Sequence, residues 1–133
     1  MANVTQEGSG WLLTQMAKGG TWAADQLFVG LTNTAPTAAS TLASIAAAET
    51  ATGATRKNWT SANANISAGG VLSMGSPVQW GTGVTITAAT YWFLCNVASG
   101  TSGKLICYGP LSQSRTLGTG DTMTENITDI HLA

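Results

Sequence analysis

The feature that most constrains the fold is the stretch from Val78 to Leu111, which predicts a β-hairpin covered on both faces. Large side chains follow one another from Tyr91 to Cys95, without the clean polar alternation of a strand that is exposed on one face. A turn-rich segment, Ser99–Gly103, contains glycines that adopt positive φ at little cost. A second apolar run follows it, and we predict that this returning strand ends at Pro110 because proline cannot donate to a ladder.

Successive residues of the first strand point to opposite faces of the predicted sheet. One face carries Tyr91, Phe93, Cys95 and Val97, and the other carries Trp92, Leu94 and Asn96. Because both faces hold large apolar groups, we expect this hairpin to be central and the rest of the chain to cover it.

Short apolar or alternating runs, separated by turn residues, predict further strands along the chain. They lie at residues 26–32, 56–66, 71–74, 78–80, 84–87, 112–117 and 122–132. With the hairpin they amount to about eight short strands at spacings of roughly ten residues, which is typical of a sandwich or barrel. The predicted fold class is therefore all-β, an antiparallel and jelly-roll-like β-sandwich with a short N-terminal helix.

Two segments carry helix signals. Ser9 is predicted to cap a short helix that Gly19 ends, with Leu12 and Met16 in its apolar stripe. The Ala-rich stretch from Thr41 to Glu49 fits either a short helix capped by Thr41 or a mobile loop, and both interpretations stay open at this point.

The first residues differ in character from the rest of the chain. Residues 1–8 are small and polar, and we predict an N-terminal arm that is disordered alone or ordered against a neighbour. Residues 9–133 are expected to form a single β-sandwich domain, which is long enough to bury a sizeable core.

The low charge content favours some classes of partner and disfavours others. Charged residues make up only 8% of the sequence, against about 25% in ordinary soluble domains. This favours a surface that largely meets other subunits over a small soluble domain coated with threonine and serine. The few scattered Lys and Arg residues form no basic patch, so no nucleic-acid partner is expected. No membrane-spanning run and no signal peptide are recognised, which predicts synthesis in a reducing cytoplasm.

The cysteines, Cys95 and Cys107, are symmetric about Thr101. A regular hairpin would place them opposite one another or nearly so, where a cross-strand disulfide is possible but usually strained. Because the predicted compartment is reducing, two free buried thiols are the favoured interpretation.

Residues that carry catalytic or metal chemistry are sparse. His131 is the sole histidine and is predicted to be a polar residue of a terminal strand. Asp121 and Glu125 are the closest carboxylates, and a solvated turn aspartate is the favoured interpretation of Asp121. A zinc site needs a cluster of three or four ligands, which the sequence lacks. We therefore predict no catalytic residue, no cofactor, no metal and no enzymatic activity.

The tryptophans divide into two groups. Trp59, Trp80 and Trp92 are predicted to be core residues of the β-sheets. Trp11 and Trp22 flank the N-terminal helix and are candidates for anchors at a subunit interface, because aromatic residues dominate binding hot spots. The predicted interface set is Trp11, Leu12, Met16 and Trp22.

Several short motifs occur in a distinctive order from Phe28 onward. They are a V-x-L strand with a proline turn (Val29–Pro36), Gly-x-x-Arg (Gly53–Arg56), a Trp-Gly-Thr turn (Trp80–Thr82), a Leu-x-Tyr-x-x-Leu-like run (Ile106–Leu111) and a Gly-Asp-Thr turn (Thr119–Thr122). In this order the chain resembles a family of small β-sandwich structural proteins of tailed bacteriophage virions, labelled head decoration or tail-fibre-like.

The resemblance implies a virion component without enzymatic activity. The first hypothesis is a capsid decoration (cement) protein that binds the major capsid protein on the outside of the head, as a homo-oligomer and expected to be a trimer. The second hypothesis is a tail or fibre component that contributes to binding a host receptor or glycan. A third, a hydrolase on a jelly-roll scaffold, is disfavoured because the sequence has no ligand cluster.

Overall fold

The computed structural model describes residues 3–17, 27–59, 64–66, 71–74, 77–125 and 130–131. Within these ranges the chain forms ten strands and two helices. They are β1 (Asn3–Val4), α1 (Gln6–Ala17), β2 (Phe28–Thr32), α2 (Leu42–Thr52), β3 (Lys57–Asn58), β4 (Ala64–Ile66), β5 (Val71–Met74), β6 (Val78–Trp80), β7 (Ile86–Cys95), β8 (Leu105–Leu117), β9 (Met123–Glu125) and β10 (Ile130–His131).

The strands form antiparallel sheets. The largest has five strands in the order β1-β8-β7-β2-β3, a second pairs β10, β5 and β4, and a third pairs β6 with β9. Every described strand pair is antiparallel. The predicted mostly-β, antiparallel and sandwich-like fold is therefore confirmed, whereas the jelly-roll connectivity and the division into arm and domain stay predictions.

The β7–β8 hairpin lies at the centre of the five-stranded sheet, and both of its faces are buried, as predicted. Trp92 and Leu94 belong to the larger hydrophobic core, together with Trp59 and Trp80. The opposite face of β7 contributes Phe93 and Cys95 to a smaller core, which Leu42 and Ile45 of α2 close from outside, together with Leu105. The central sheet thus has a core on each side.

The register of the hairpin separates the cysteines. Leu94 faces Cys107, whereas Cys95 faces Leu105, with a register shift between Leu94 and Cys95. Cys95 therefore lies in the smaller core and Cys107 in the larger one. Both thiols are free, as the favoured interpretation predicts, and the cysteines are nearly but not directly opposite one another, since Cys107 pairs with the residue before Cys95.

The prediction that the returning strand ends at Pro110 is wrong, because β8 continues to Leu117. Pro110 pairs with Tyr91 of β7, and the described pairs between β1 and β8 reach only Cys107 and Tyr108. Proline is tolerated in a strand at a position where no neighbouring strand needs a hydrogen bond from its backbone nitrogen, as at an edge. The predicted strand at residues 112–117 is consequently the second half of β8.

Helix α1 begins earlier than predicted, and its cap is Thr5 rather than Ser9. The backbone N–H of Gly8 donates to Thr5 Oγ1 at 2.9 Å, and the N–H of Ser9 donates to Thr5 O at 2.9 Å. Thr5 is itself buried and donates its own N–H to Ile106 O at 3.0 Å. The predicted arm therefore contributes β1 and the first turn of α1. The predicted helix stop at Gly19 lies outside the described residues.

The Ala-rich stretch forms a helix, α2, rather than a loop. Thr41 is its N-cap, and a capping box with Ser44 satisfies two backbone donors that a helix N-terminus leaves unpaired. Gly53 ends the helix in the left-handed conformation (φ 72°), which costs glycine little. The helix covers the smaller core through Leu42 and Ile45.

The remaining predicted strands are found, some of them with altered bounds. Strands β2, β5 and β6 lie where the sequence predicts them. The predicted strand 56–66 contains β3 and β4, and residues 60–63 between them lie outside the described part of the chain. The predicted strand 122–132 contains β9 and β10, and residues 126–129 likewise lie outside it. The predicted strand 84–87 overlaps the beginning of β7 at Ile86.

Candidate functional site

The described ion pairs lie in or beside two regions at the margins of the central sheet. The first, which we call the loop end, consists of the hairpin loop Asn96–Lys104 with Arg56, Glu49 and Glu7 beneath it. The second, the polar groove, lies between the C-terminal half of β8 and the turn that leads into β9. Its lining residues are Gln113, Ser114, Arg115, Thr116, Leu117, Gly120, Asp121, Thr122, Met123 and Thr124.

Arg56 is the anchor of the loop end. Its Nε donates to Glu49 Oε1 at 2.7 Å and its Nη2 to Glu49 Oε2 at 2.6 Å, a two-pronged pair whose side chains are only 2% and 14% exposed. The guanidinium also donates to two loop carbonyls, Val97 O at 3.1 Å and Gly100 O at 2.8 Å. Arg56 therefore ties the end of α2 to the hairpin loop.

Local structure fixes the position of Arg56. The segment that follows α2 is held by Trp80, whose Nε1 donates to Thr55 O at 2.9 Å. The guanidinium carbon lies 5.6 Å from the centroid of the Phe93 ring, within the range of a cation–π contact. Burial is the largest single influence and works to lower the pKa of Arg56, but the hydrogen bonds to Glu49, the charge of Glu49 and the neighbouring Cys95 together leave the pKa above its ordinary value. Arg56 and Glu49, which we call the clamp, therefore hold the loop through a guanidinium that stays charged.

Glu7 of α1 supports the same loop from the other side. Its Oε2 accepts from the backbone N–H of Leu105 at 2.8 Å and of Leu42 at 3.0 Å, and its Oε1 accepts from Lys104 Nζ at 3.2 Å. Burial works to raise the pKa of Glu7, but these hydrogen bonds outweigh it and hold the pKa below its ordinary value. One carboxylate thus joins α1, the start of α2 and the start of β8.

The hairpin loop is closed within itself as well. Asn96 Oδ1 accepts the backbone N–H of Lys104 at 2.6 Å, across the base of the loop. A cavity of about 340 Å³ between the loop and the end of α2 has Arg56 and Glu49 in its wall, and these two groups are already paired with each other. The exposed part of the loop, residues 98–102, carries only small side chains. The loop end is therefore a fixed support for a short polar tip.

The polar groove is larger, at about 620 Å³, and its walls are equally well held. Asp121 Oδ2 accepts from the N–H of Gly118 at 2.8 Å, which closes the turn before β9. The N–H of Gly83 donates to Thr119 O at 2.8 Å, which ties this turn to the one after β6. The β8 wall is fixed by its pairing with β7, which includes Ile86 opposite Leu117.

The charges in and beside the groove are loosely paired. Arg115 Nη2 lies 3.8 Å from Glu125 Oε2 and 3.4 Å from Ser112 Oγ. Arg115 Nε is buried without a hydrogen-bond partner among the described residues. The carboxylates that the sequence singles out, Asp121 and Glu125, have different partners and do not form an acid–base pair.

The predicted interface residues have mixed positions. Trp11 and Leu12 are partly buried against the larger core, and Leu13 beside them is 66% exposed. Met16 lies in α1 without a described side chain, and Trp22 lies outside the described residues. His131 is in β10, opposite Val71 of β5, as a terminal-strand residue. The interface assignment stays a prediction.

Sequence reasoning missed the clamp and the groove. The Gly53–Arg56 motif was the one signal that pointed to Arg56, and nothing in the sequence connected it with Glu49 or with the carbonyls of Val97 and Gly100. Among the described ranges, no three His, Cys, Asp or Glu side chains come together as a metal site requires. No helix in those same ranges is both long and apolar enough to cross a membrane.

Comparison with known proteins adds a family. The family model described as Podophage GP4 fiber I protein gp80 matches residues 5–133, which include α1, the hairpin, the loop end and the polar groove. No protein with a curated description matches the chain. The resemblance to structural proteins of tailed phage virions is confirmed at this level, whereas attachment to the capsid is not part of the family's description. The chain belongs to the family of the podophage GP4 fiber I protein gp80, a family of phage virion structural proteins.

Proposed function

We propose that this protein is a fibre component of the virion of a tailed phage and that it contributes to contact with the host surface. The observation that carries the proposal is the family match over residues 5–133, whose description names a fibre protein. The fold is compatible with this role, because a sheet with a core on each side supports a hairpin loop whose tip is exposed and held from below. Binding residues are commonly displayed on loops that a rigid scaffold positions.

The proposed role is non-enzymatic. The described carboxylates are each engaged in a structural contact: Glu7 and Glu49 at the loop end, Asp121 in its turn and Glu125 beside Arg115. The thiols of Cys95 and Cys107 are buried, and burial raises the pKa of both, which disfavours the nucleophilic thiolate. These features favour a protein that binds over one that performs chemistry.

We further propose that α1 contacts other virion proteins, including other copies of this chain. The support is the exposed Leu13 beside the partly buried Trp11 and Leu12, in a chain with few charges to keep surfaces apart. Exposed large apolar side chains next to aromatic groups are typical of interface centres. The predicted interface set of Trp11, Leu12, Met16 and Trp22 is thereby extended by Leu13.

The test of the fibre role is the place of the protein in the particle. Virions of a phage that carries this chain are dissociated into heads and tails, and an antibody against the chain is used on both fractions and on intact particles. We expect the protein in the tail fraction, with label at the fibres. Protein found on the heads would instead favour the capsid decoration hypothesis, in which the same chain binds the major capsid protein.

The contact role of α1 has its own test. Leu13→Ser is expected to lower the number of copies per particle while the circular dichroism and the unfolding midpoint of the isolated protein stay unchanged, because the side chain is exposed. Ala17→Ser, at another exposed position of the same helix, is the control and should leave incorporation intact. Full incorporation of Leu13→Ser would contradict this part of the proposal.

A further inference from the structure

The polar groove has the dimensions of a ligand site. Its volume of about 620 Å³ lies within the range of ~300–1,000 Å³ that is usual for small-molecule sites. The groove is open along the surface, between the second half of β8 and the turn into β9. The walls are parts of paired strands and a hydrogen-bonded turn, so the groove is formed in the protein without a ligand.

The chemistry of the lining is unusual for a groove of this size. Ligand sites are mostly apolar, with a few polar groups. Here the apolar members, Leu117 and Met123, are buried beneath the surface, and the exposed side chains are all hydrogen-bonding groups. They are Gln113, Ser114, Thr116, Asp121, Thr122 and Thr124. The amide and the hydroxyls both donate and accept hydrogen bonds, and the carboxylate of Asp121 accepts them.

The charges beside the groove disfavour an anionic ligand. Arg115 is the cation of the lining, and Glu125 lies 3.8 Å from its guanidinium. Asp121 adds a carboxylate of which Oδ2 accepts from Gly118, so Oδ1 is left to accept from a ligand. A site for phosphate or sulfate would need an excess of donors with positive charge, which these residues do not provide. An apolar ligand would find little exposed apolar surface to cover.

We propose that the polar groove binds a neutral, hydroxyl-rich saccharide of the host cell surface. The inference rests on the proposed fibre function for its biological setting, but the groove itself supplies the chemistry. Vicinal hydroxyls of a sugar match the mixture of donors and acceptors that Gln113, Asp121 and Thr122 present. Each neutral hydrogen bond replaces one with water and contributes little net free energy, so the affinity for a single sugar is in the millimolar range. Several copies in one fibre raise the effective affinity by multivalency.

The loop end does not offer the same chemistry. The charged groups in the wall of its cavity, Arg56 and Glu49, already hold each other, and Arg56 also holds the loop carbonyls. A ligand would have to displace these bonds. In the groove, Asp121 Oδ2 accepts from Gly118 N–H and Thr116 Oγ1 accepts from Ala88 N–H. A ligand that contacts Gln113, Ser114, Thr122 and Asp121 Oδ1 can leave these two bonds in place and displace water.

The experiment is a titration of the full-length, ¹⁵N-labelled protein with D-glucose, D-galactose, D-mannose, N-acetyl-D-glucosamine and L-rhamnose, followed by NMR. We expect at least one of them to cause saturable shifts of the amides of Gln113–Thr116 and Asp121–Thr124. The double variant Gln113→Ala/Thr122→Ala should weaken binding about tenfold, as the loss of two neutral hydrogen bonds predicts. The matched control Gln6→Ala/Thr14→Ala removes an exposed glutamine and an exposed threonine of α1, away from the groove and the hairpin loop, and should bind like the unmodified protein.

The outcomes separate this inference from the proposed function. If no sugar of the panel shifts the groove amides, or if the groove variant binds as tightly as the control, the groove assignment is overturned even when the protein is found in fibres. If the groove binds a sugar but the protein is found on heads, the fibre role fails and the binding chemistry of the groove stands. In the absence of sugar, both double variants should give the same amide spectrum as the unmodified protein away from the substituted positions, which shows that each variant is folded.

Discussion

The loop end and the polar groove use charge in opposite ways. At the loop end, Arg56, Glu49 and Glu7 are all buried or nearly so, and their hydrogen bonds go to each other, to the backbone or to Lys104. At the groove, Arg115 has a long, partly exposed ion pair, and most of the lining is neutral and exposed. In a chain with 8% charged residues, the buried ionic contacts of the loop end stabilise the fold, and the side chains exposed in the groove are mostly neutral.

The largest expected effect tests the contrast between the two arginines. Arg56→Ala should lower the free energy of unfolding by about 3–5 kcal/mol, because Glu49 and two loop carbonyls lose their partner in a buried setting. Arg115→Ala should cost only about 0–1 kcal/mol, since its pair with Glu125 is long and partly exposed. Urea unfolding followed by tryptophan fluorescence measures both.

A control sharpens this result. Arg56→Lys keeps the charge but cannot make the two-pronged contact, so its stability should lie between those of the unmodified protein and Arg56→Ala. Equal losses for Arg56→Ala and Arg115→Ala would show that the loop end is not a specially stabilised region.

The second prediction concerns the close contact of α1 with β8 beside the loop end. A Cβ at Gly8 would clash with Ile106 O, which is a backbone atom and cannot move aside cheaply, so Gly8→Ala should destabilise by about 1–3 kcal/mol. Gly10→Ala, two residues on in the same helix, meets no atom within 4 Å and should stabilise by about 1 kcal/mol. Thermal unfolding checks both. A stabilising Gly8→Ala would mean that α1 does not lie against β8.

The third prediction uses the pH dependence of Glu7. Because the pKa of Glu7 in the folded protein lies below its ordinary value of 4.5, the carboxylate contributes stability that is fully present above pH 4.5 and is lost as the pH falls through the lower folded pKa. Glu7→Gln should cost about 1 kcal/mol near neutral pH, and the difference from the unmodified protein should shrink in acid. Unfolding curves at a series of pH values measure this. A difference that does not change with pH would contradict the role of the charge.

The smallest expected effect concerns the thiols. Burial raises the pKa of Cys95 and Cys107, so both should react slowly with a thiol reagent in the native protein. Cys95 lies in the core next to the clamp and Cys107 in the opposite core. Arg56→Ala should therefore accelerate the reaction of Cys95 more than that of Cys107, which mass spectrometry of the labelled protein resolves. Equal acceleration would indicate global unfolding instead of an opened loop end.

Local patterns in the sequence sufficed to predict the hairpin, its two apolar faces and most strands. The pattern from Tyr91 to Cys95 is contained within one strand, and so is the alternation that assigns its faces. The register was beyond this reasoning, because the shifts near Ala89 and Leu94 depend on how β7 meets β8 and not on either strand alone. The extension of β8 through Pro110 likewise depends on which neighbour each strand has.

The loop end and the polar groove were harder to predict because each depends on contacts between distant parts of the chain. Arg56 contacts residues more than forty positions along the chain, Val97 and Gly100, and no periodicity links them. Asp121 was correctly interpreted as a turn residue, but the groove exists only because the turn comes to lie beside the second half of β8. The cap of α1 at Thr5 was missed because Ser9 is an equally good cap by residue type, and only the contact with Ile106 distinguishes them.

The anchoring of the hairpin loop has a consequence for how this protein can evolve. Arg56 holds the loop by the carbonyl oxygens of Val97 and Gly100, and every amino acid carries the same carbonyl. Apart from Gly100, whose φ of 75° favours glycine, the exposed residues 98–102 can therefore drift in sequence without losing these bonds. A phage lineage can vary the chemistry of the tip by single substitutions and keep the course of the loop unchanged.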